Sequence, residues 1–263
     1  MVRPGVRVRL SRMDPGDTSG FDGAKANSRK ELEKLTARLA KLQELLYAGH
    51  EHSVLVVLQG IDSAGKDGTI RRVFEGVNPQ GVRVVSFKTP SVEELDHDFL
   101  WRVHANLPAR GEMVLFNRSH YEDVLVPRVH GLITKAVWER RYREINDFER
   151  MLTEEGTTIL KFFLHISRGE QRRRLQERLD DPSKHWKFRQ ADLQERLRWA
   201  IYMKAYEEAI TKTSTKWAPW HVVPSDRKWF RDLYVSQRIV AALENLRMRF
   251  PPLAAEFRTA RVG

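Results

Sequence analysis

Cysteine is absent from the 263 residues, so no disulfide framework staples this chain. The absence is neutral as to compartment. No apolar run approaches the roughly 18 residues that cross a bilayer. The start, MVRPGVRVRLSRMDPGDTSG, lacks the apolar stretch of about 7–15 residues that marks a secretory signal. The cytosol is therefore the expected compartment. No internal repeat is visible. Apolar residues make up 41% and charged residues 31%, a balance that excludes collagen-like and wholly disordered chains. Acidic charge is in short supply: 46 Lys and Arg face 35 Asp and Glu, for a net charge of +11. A polyanion is the natural partner of such a surface, whether nucleic acid, anionic lipid or something rich in phosphate.

Residues 1–27 are rich in Gly, Pro and Asp and read as an extended arm, whose RVRL stretch can pack on the body. One domain is expected over 28–263. Its first helix is predicted from Ser28, with Leu32, Leu35, Leu39, Leu42 and Leu46 on one face, Ser28 and Glu31 as a capping box, and Gly49 as the stop. Short runs of apolar, β-branched residues follow at 53–60, 82–87, 112–116, 157–166 and 220–224. Such runs read as strands buried on both faces, as in a parallel sheet. Helical stretches separate them at about 66–76, 91–107, 134–153, 169–180, 189–212 and 228–248. The expected architecture is a three-layer α/β/α sandwich with about five parallel strands. The strand-free, basic stretch at about 168–215 reads as a helical lid.

The segment Gly60-Ile-Asp-Ser-Ala-Gly65-Lys66-Asp67-Gly68 fits GxxxxGK between a predicted strand and a predicted helix. There, glycines let backbone N–H groups turn toward a phosphate, the helix N-terminus adds positive charge, and Lys66 reaches phosphoryl oxygens. Ser63, Ala64, Gly65, Lys66, Asp67 and Gly68 are thus candidate phosphate-binding residues. An ordinary P-loop has Ser or Thr after the lysine; here stands Asp67, and Asp62 lies inside the cradle. Carboxylates beside phosphate imply an intervening divalent cation. Bland alternatives are an Asx turn for Asp62 and helix capping for Asp67.

A second cluster, Phe116-Asn-Arg-Ser-His-Tyr-Glu-Asp123, closes the 112–116 strand, where a P-loop kinase presents a metal-binding Asp. Asn117 occupies that position, and Arg118 can grip a transferred phosphate with its fork. The 168–189 stretch holds eight Lys or Arg against four Asp or Glu. Arg174 and Arg178 share a helix face, and Lys184 and Lys187 follow the break at Asp181-Pro182. A solvated basic face is the bland reading; lid cations closing over a phosphate chain are the sharper one. Trp217 and Trp220 read as core.

Together these residues resemble the family-2 polyphosphate kinases. The matching pieces are the P-loop with Asp62 and Lys66-Asp67-Gly68, FxRSxY at 116–121, DPxKxWK at 181–187, WxxY at 199–202 and TxTxxAPW at 213–220. The resemblance implies a P-loop kinase sandwich with a helical lid, similar to thymidylate kinases. It implies phosphoryl transfer between inorganic polyphosphate and nucleotides, AMP and ADP becoming ADP and ATP, with Mg2+ (Mn2+ as substitute). It makes Asp62, Lys66, Asn117 and Arg118 catalytic, and Arg178, Lys184 and Lys187 phosphate contacts. Arg118, His120, Tyr121, Glu122 and Asp123 become the nucleotide side, and Asp62, Asn117 and Glu122 the metal side. Glu122 after the tyrosine resembles members that also use monophosphates. Position 117 is usually Asp in the family, so this chain is expected to be an inactivated Asp-to-Asn variant whose natural residue is Asp, unless Asp62, Asp67 or Glu122 supplies the metal carboxylate. Adenine nucleotides, guanine nucleotides and further copies of the chain, as dimer or tetramer, are the expected partners; nucleic acid and membrane are not. Two rival readings are an ATP-dependent nucleotide or small-molecule kinase and a nucleic-acid-binding P-loop module.

Overall fold

A computed structural model describes residues 1–21, 25–257 and 260–261. Five strands, β1 (Ser53–Gln59), β2 (Val82–Ser86), β3 (Met113–Asn117), β4 (Thr157–His165) and β5 (Trp220–Pro224), form one sheet in the order β2-β3-β1-β4-β5. Every pairing is parallel. The central strand β1 is buried along its whole length, which explains the apolar run of residues 54–58 at its centre. Leu58 of β1 sits opposite Asn117 of β3, so the loop after β1 and the loop after β3 leave the sheet side by side.

The helices are α1 (Lys25–Gly49), α2 (Lys66–Val73), α3 (Val92–Asp96), α4 (Trp101–His104), α5 (Glu122–Val129), α6 (Lys135–Glu154), α7 (Arg168–Asp180), α8 (Gln190–Leu197), α9 (Trp199–Thr213) and α10 (Lys228–Asn245). One layer joins α1, α2 and α10; the other joins α5, α6 and α9. Leu32, Leu39, Leu42 and Leu46 bury the apolar stripe of α1 as their spacing predicts. Among the described residues, no helix is long and apolar enough to cross a membrane.

Several expected boundaries move. The first helix begins at Lys25, so Ser28 lies inside it rather than at its N-cap. The 91–107 stretch breaks into α3 and α4, because Asp98 takes the N–H of Leu100 on its carboxylate and that of Trp101 on its carbonyl. Helix α5 was not anticipated. It carries Pro127, which cannot donate to the Asp123 carbonyl four residues back; the Arg141 guanidinium donates to that carbonyl instead. The 189–212 stretch divides at Arg198 into α8 and α9. Helix α9 belongs to the body rather than to an exposed lid, since Ala205, Tyr206, Ala209 and Ile210 are buried in the core. The N-terminal arm packs along this body: Val2, Val8 and Leu10 are buried, Val2 N donates to Trp220 O (2.7 Å), and Val8 N donates to Thr211 Oγ1 (2.9 Å).

Candidate active site

The chain leaves β1 through a loop of unusual backbone geometry. Gly65 has φ 105°, and a Cβ there would stand 2.0 Å from Arg231 Nη1, so only glycine fits. Ser63 also lies in the left-handed region, at φ 67°. Lys66 opens α2, and its ammonium donates back to the Gly60 carbonyl (2.7 Å). Burial, with the neighbouring Arg118 adding to it, lowers the Lys66 pKa to about 8. The lysine is thus a cation held at a cost until an anion joins it.

Beside this loop, β3 ends at Asn117, and Arg118 turns through φ 67° with its N–H on the Leu58 carbonyl (3.0 Å). Its guanidinium donates to Asp62 Oδ1 (2.7 Å) and to Glu122 Oε2 (3.1 Å). Burial raises the Glu122 pKa, against the pull of Arg118 and Lys66. Gln59 supports Glu122 from below. With its amide oriented to satisfy both ends, its nitrogen donates to Glu122 Oε1 (3.0 Å) and its oxygen accepts from Ser119 N (3.1 Å). The Asn117 amide donates to Asp67 Oδ1 (2.5 Å). The structure therefore brings together Asp62, Lys66 and Asp67 from the segment after β1 with Asn117, Arg118 and Glu122 from the end of β3 to the start of α5.

The remaining candidates are placed otherwise. His120 and Tyr121 are fully buried and make no surface for a nucleotide. His120 Nε2 lies 3.2 Å from Glu149 Oε1, and Tyr121 Oη donates to the same oxygen (2.9 Å). Lys161, also fully buried, donates to Glu149 Oε2 (2.6 Å), Tyr121 Oη (2.9 Å) and Thr213 O (2.7 Å). Lys161 and the His120 ring hold the Glu149 carboxyl below its ordinary pKa although burial pushes it up. Asp123 is tied to Arg102 Nη2 (2.8 Å), and burial raises its pKa despite that partner. Arg178 of α7 is committed to Asp192 Oδ2 of α8 (3.2 Å) and to the Lys187 carbonyl (3.1 Å). Lys184 pairs with Glu177 (2.6 Å) and Asp181 (2.9 Å). Lys187 lies over the Trp186 ring at 4.8 Å, with no carboxylate pairing it among the described residues. Trp220 is core, its Nε1 donating to Thr213 Oγ1 (2.9 Å).

Sequence reasoning missed Gln59, Arg102, Glu149, Lys161 and Gln171. Two carried a signal: Gln59 is the polar end of an otherwise apolar strand, and Lys161 interrupts the apolar run TTILKFFLHI.

As a donor set for a metal, Asp62 and Asp67 each engage one carboxylate oxygen, on Arg118 and Asn117 respectively. Glu122 has both oxygens occupied, so it is not free as a ligand. Among the described residues, no three His, Asp or Glu side chains form a group that could hold a metal ion. Two carboxylates completed by substrate phosphate oxygens are nonetheless what Mg2+ commonly uses. Lys66 and Arg118 also leave three nearby carboxylates incompletely neutralised, which favours a hard cation.

A backbone cradle after the central parallel strand, a buried lysine at the following helix start and an arginine at the end of the adjacent strand define a P-loop phosphotransferase site. The model of the polyphosphate kinase 2 (PPK2) family matches residues 23–251, and the chain belongs to that family. It is 59% identical to an AMP/ADP-polyphosphate phosphotransferase of Meiothermus ruber, over 95% of this chain and 94% of that one. It is 46% identical to an ADP-polyphosphate phosphotransferase of Rhodopseudomonas palustris, over 95% of this chain and 90% of that one. The crystal structure of polyphosphate kinase 2 from Arthrobacter aurescens TC1 superposes with a TM-score of 0.92 at 49% identity, covering 95% of this chain and 90% of that one.

Proposed function

We propose that this enzyme transfers a phosphoryl group between inorganic polyphosphate and AMP or ADP. The observation that carries the reading is the joint placement of Lys66, Asp62 and Arg118 at one phosphate cradle, in a chain so close to a relative named for both nucleotides. The terminal phosphate oxygen of the nucleotide attacks the terminal phosphorus of polyphosphate. A new P–O bond forms to the nucleotide, the bridging P–O bond breaks, and polyphosphate leaves one unit shorter. No covalent enzyme intermediate is required, because a phosphate oxygen is already a nucleophile. The Gly65 N–H, the neighbouring loop N–H groups other than that of Ala64, which donates to the Ile61 carbonyl (3.0 Å), and Lys66 hold the donor phosphate, and Arg118 spreads its charge over the phosphoryl oxygens. Glu122 and Asp62 fix the Arg118 fork between them. Asp62 and Asp67 are the residues that would hold Mg2+, which when bound offsets phosphate charge. Arg178 and Lys184 serve by shaping the lid, and Lys187 by facing the polyphosphate chain. The cytosol and a homo-oligomeric assembly complete the reading.

The test supplies polyphosphate as the only phosphoryl donor, with Mg2+ and either AMP or ADP. Formation of ADP from AMP and ATP from ADP supports the proposal. Transfer from ATP to AMP with polyphosphate inert would instead indicate an ATP-dependent kinase.

A further inference from the structure

Three consecutive carbonyls of the phosphate loop, those of Asp62, Ser63 and Ala64, point away from the cradle and end on two side chains of α7. Gln171 Nε2 donates to Asp62 O (3.1 Å), and Arg174 Nη1 donates to Ser63 O (2.9 Å) and Ala64 O (2.8 Å). Residues 171 and 174 are three apart, so they share one helix face. Both are almost wholly buried. We propose that Gln171 and Arg174 are positioning residues that hold the loop in its phosphate-binding shape, and that Gln171 links this shape to α8 of the lid.

The direction of the carbonyls is what matters. A peptide unit is planar and trans, so a carbonyl aimed at α7 sends the next N–H the opposite way. Fixing the Ala64 carbonyl therefore aims the Gly65 N–H into the cradle. Ser63 needs such support, because a residue with a Cβ in the left-handed region is strained. Arg174 is equally committed elsewhere: Nε donates to Glu170 Oε1 (2.7 Å), and Nη2 to Ser225 O (2.6 Å) and Asp226 O (3.3 Å). All five N–H donors of a guanidinium are thus used within the protein. Arg174 has none left for phosphate and acts only through the loop it holds. It also joins the loop to the end of β5, where Ser225 and Asp226 lie.

Gln171 has a second partner. Its Oε1 accepts from Arg196 Nη1 of α8 (2.8 Å), whose guanidinium also donates to Arg168 O (2.8 Å). A continuous path of hydrogen bonds then runs from α8 through Gln171 to the backbone of Asp62, the residue that holds Arg118. Displacing α8 removes a bond from the amide that orients this peptide.

The inference rests on polyphosphate as the donor in the cradle, so its test measures binding of long-chain polyphosphate directly, apart from turnover. Wild-type enzyme that does not bind polyphosphate would overturn the functional reading, and with it this proposal. Given binding, Arg174→Lys keeps the charge but offers at most three donors from one atom. The expected result is a folded protein whose affinity falls about tenfold or more, with the KM for ADP within about twofold. Unchanged affinity in folded Arg174→Lys would overturn the positioning role. In Arg174→Ala, added guanidinium should restore part of the lost binding; loss of binding without rescue, in a variant that is folded, counts against the role. For the link, Gln171→Leu and Arg196→Ala should each weaken binding severalfold, and the double variant should be no worse than Gln171→Leu alone. Strictly additive losses would overturn the path through Gln171.

Discussion

The hold on polyphosphate should weaken as the pH rises through about 8, because Lys66 loses its proton there in the free enzyme. Burial lowers this pKa from 10.5, with Arg118 adding to the effect. Asp62, Glu122 and Asp67 offset the fall only in part, and a bound phosphate adds negative charge that returns the lysine toward its ordinary value. Between about pH 8 and 10.5, binding must therefore take up a proton, and affinity falls about tenfold per pH unit. From pH 7 to pH 9 the loss is about tenfold overall. The group also affects stability in that window: the unfolded chain keeps the proton that the folded chain has released, so this lysine makes the fold more stable as pH rises from about 8. The assay is equilibrium binding of long-chain polyphosphate, whose internal units stay ionised throughout, at fixed ionic strength. Lys66→Arg provides the control, since a guanidinium stays charged and its profile should be flat over the same range. A wild-type affinity that is constant from pH 7 to 9, or a Lys66→Arg profile that slopes equally, would refute the reasoning.

Restoring a carboxylate with Asn117→Asp should raise the rate of transfer by about 10²-fold or more, with tighter Mg2+ binding, because an acidic side chain facing Asp67 calls for a cation between them; an unchanged rate would show that Asn117 suffices. Glu122→Asn should free Arg118 from one arm of its fork and reduce phosphorylation of AMP more than that of ADP in paired kinetic assays; an equal loss would assign Glu122 to general support of Arg118. Lys161→Met should leave Glu149 buried without its cation and cost about 3–5 kcal/mol, read from denaturant unfolding, whereas the Lys161→Met, Glu149→Leu pair should recover much of it. Lys187→Ala should flatten the salt dependence of polyphosphate binding, while Arg178→Ala, whose guanidinium is spent within the lid, should lower lid stability and change that slope little.

The strands were legible because a strand buried on both faces is mostly apolar: β1 has the run Val54–Leu58, β3 has Met113–Phe116, and β4 is apolar apart from its two terminal threonines, Lys161 and His165. The phosphate loop was legible because Gly60, Gly65 and Lys66 answer to backbone geometry and charge at fixed spacing. Helix α5 was not, since Pro127 ordinarily breaks a helix and its compensation comes from Arg141, distant in sequence. His120 and Tyr121 were drawn to the site by their neighbours Arg118 and Glu122. After Arg118 turns left-handed the chain enters α5, and these two side chains face the core on Glu149 instead. The lid cations illustrate a further limit. A run of arginines states charge but not partners, and only the fold shows that Arg178 and Lys184 are paired while Arg174 is spent on carbonyls. The loops that carry Asp62 and Asn117 leave the sheet side by side, but the engagement of both Glu122 oxygens depends on Gln59, which spacing does not reveal.

The central claim is direct phosphoryl transfer from polyphosphate to a nucleotide at the Lys66–Arg118 site. Its most direct test is a rapid-quench experiment with polyphosphate labelled in its terminal phosphorus, mixed with ADP and Mg2+, using the chain as it stands and Asn117→Asp in parallel. The account predicts that label moves into the γ-phosphate of ATP in both, faster in Asn117→Asp, with none retained on the protein at any time. Label accumulating on the protein, or ATP that stays unlabelled in both, would contradict it.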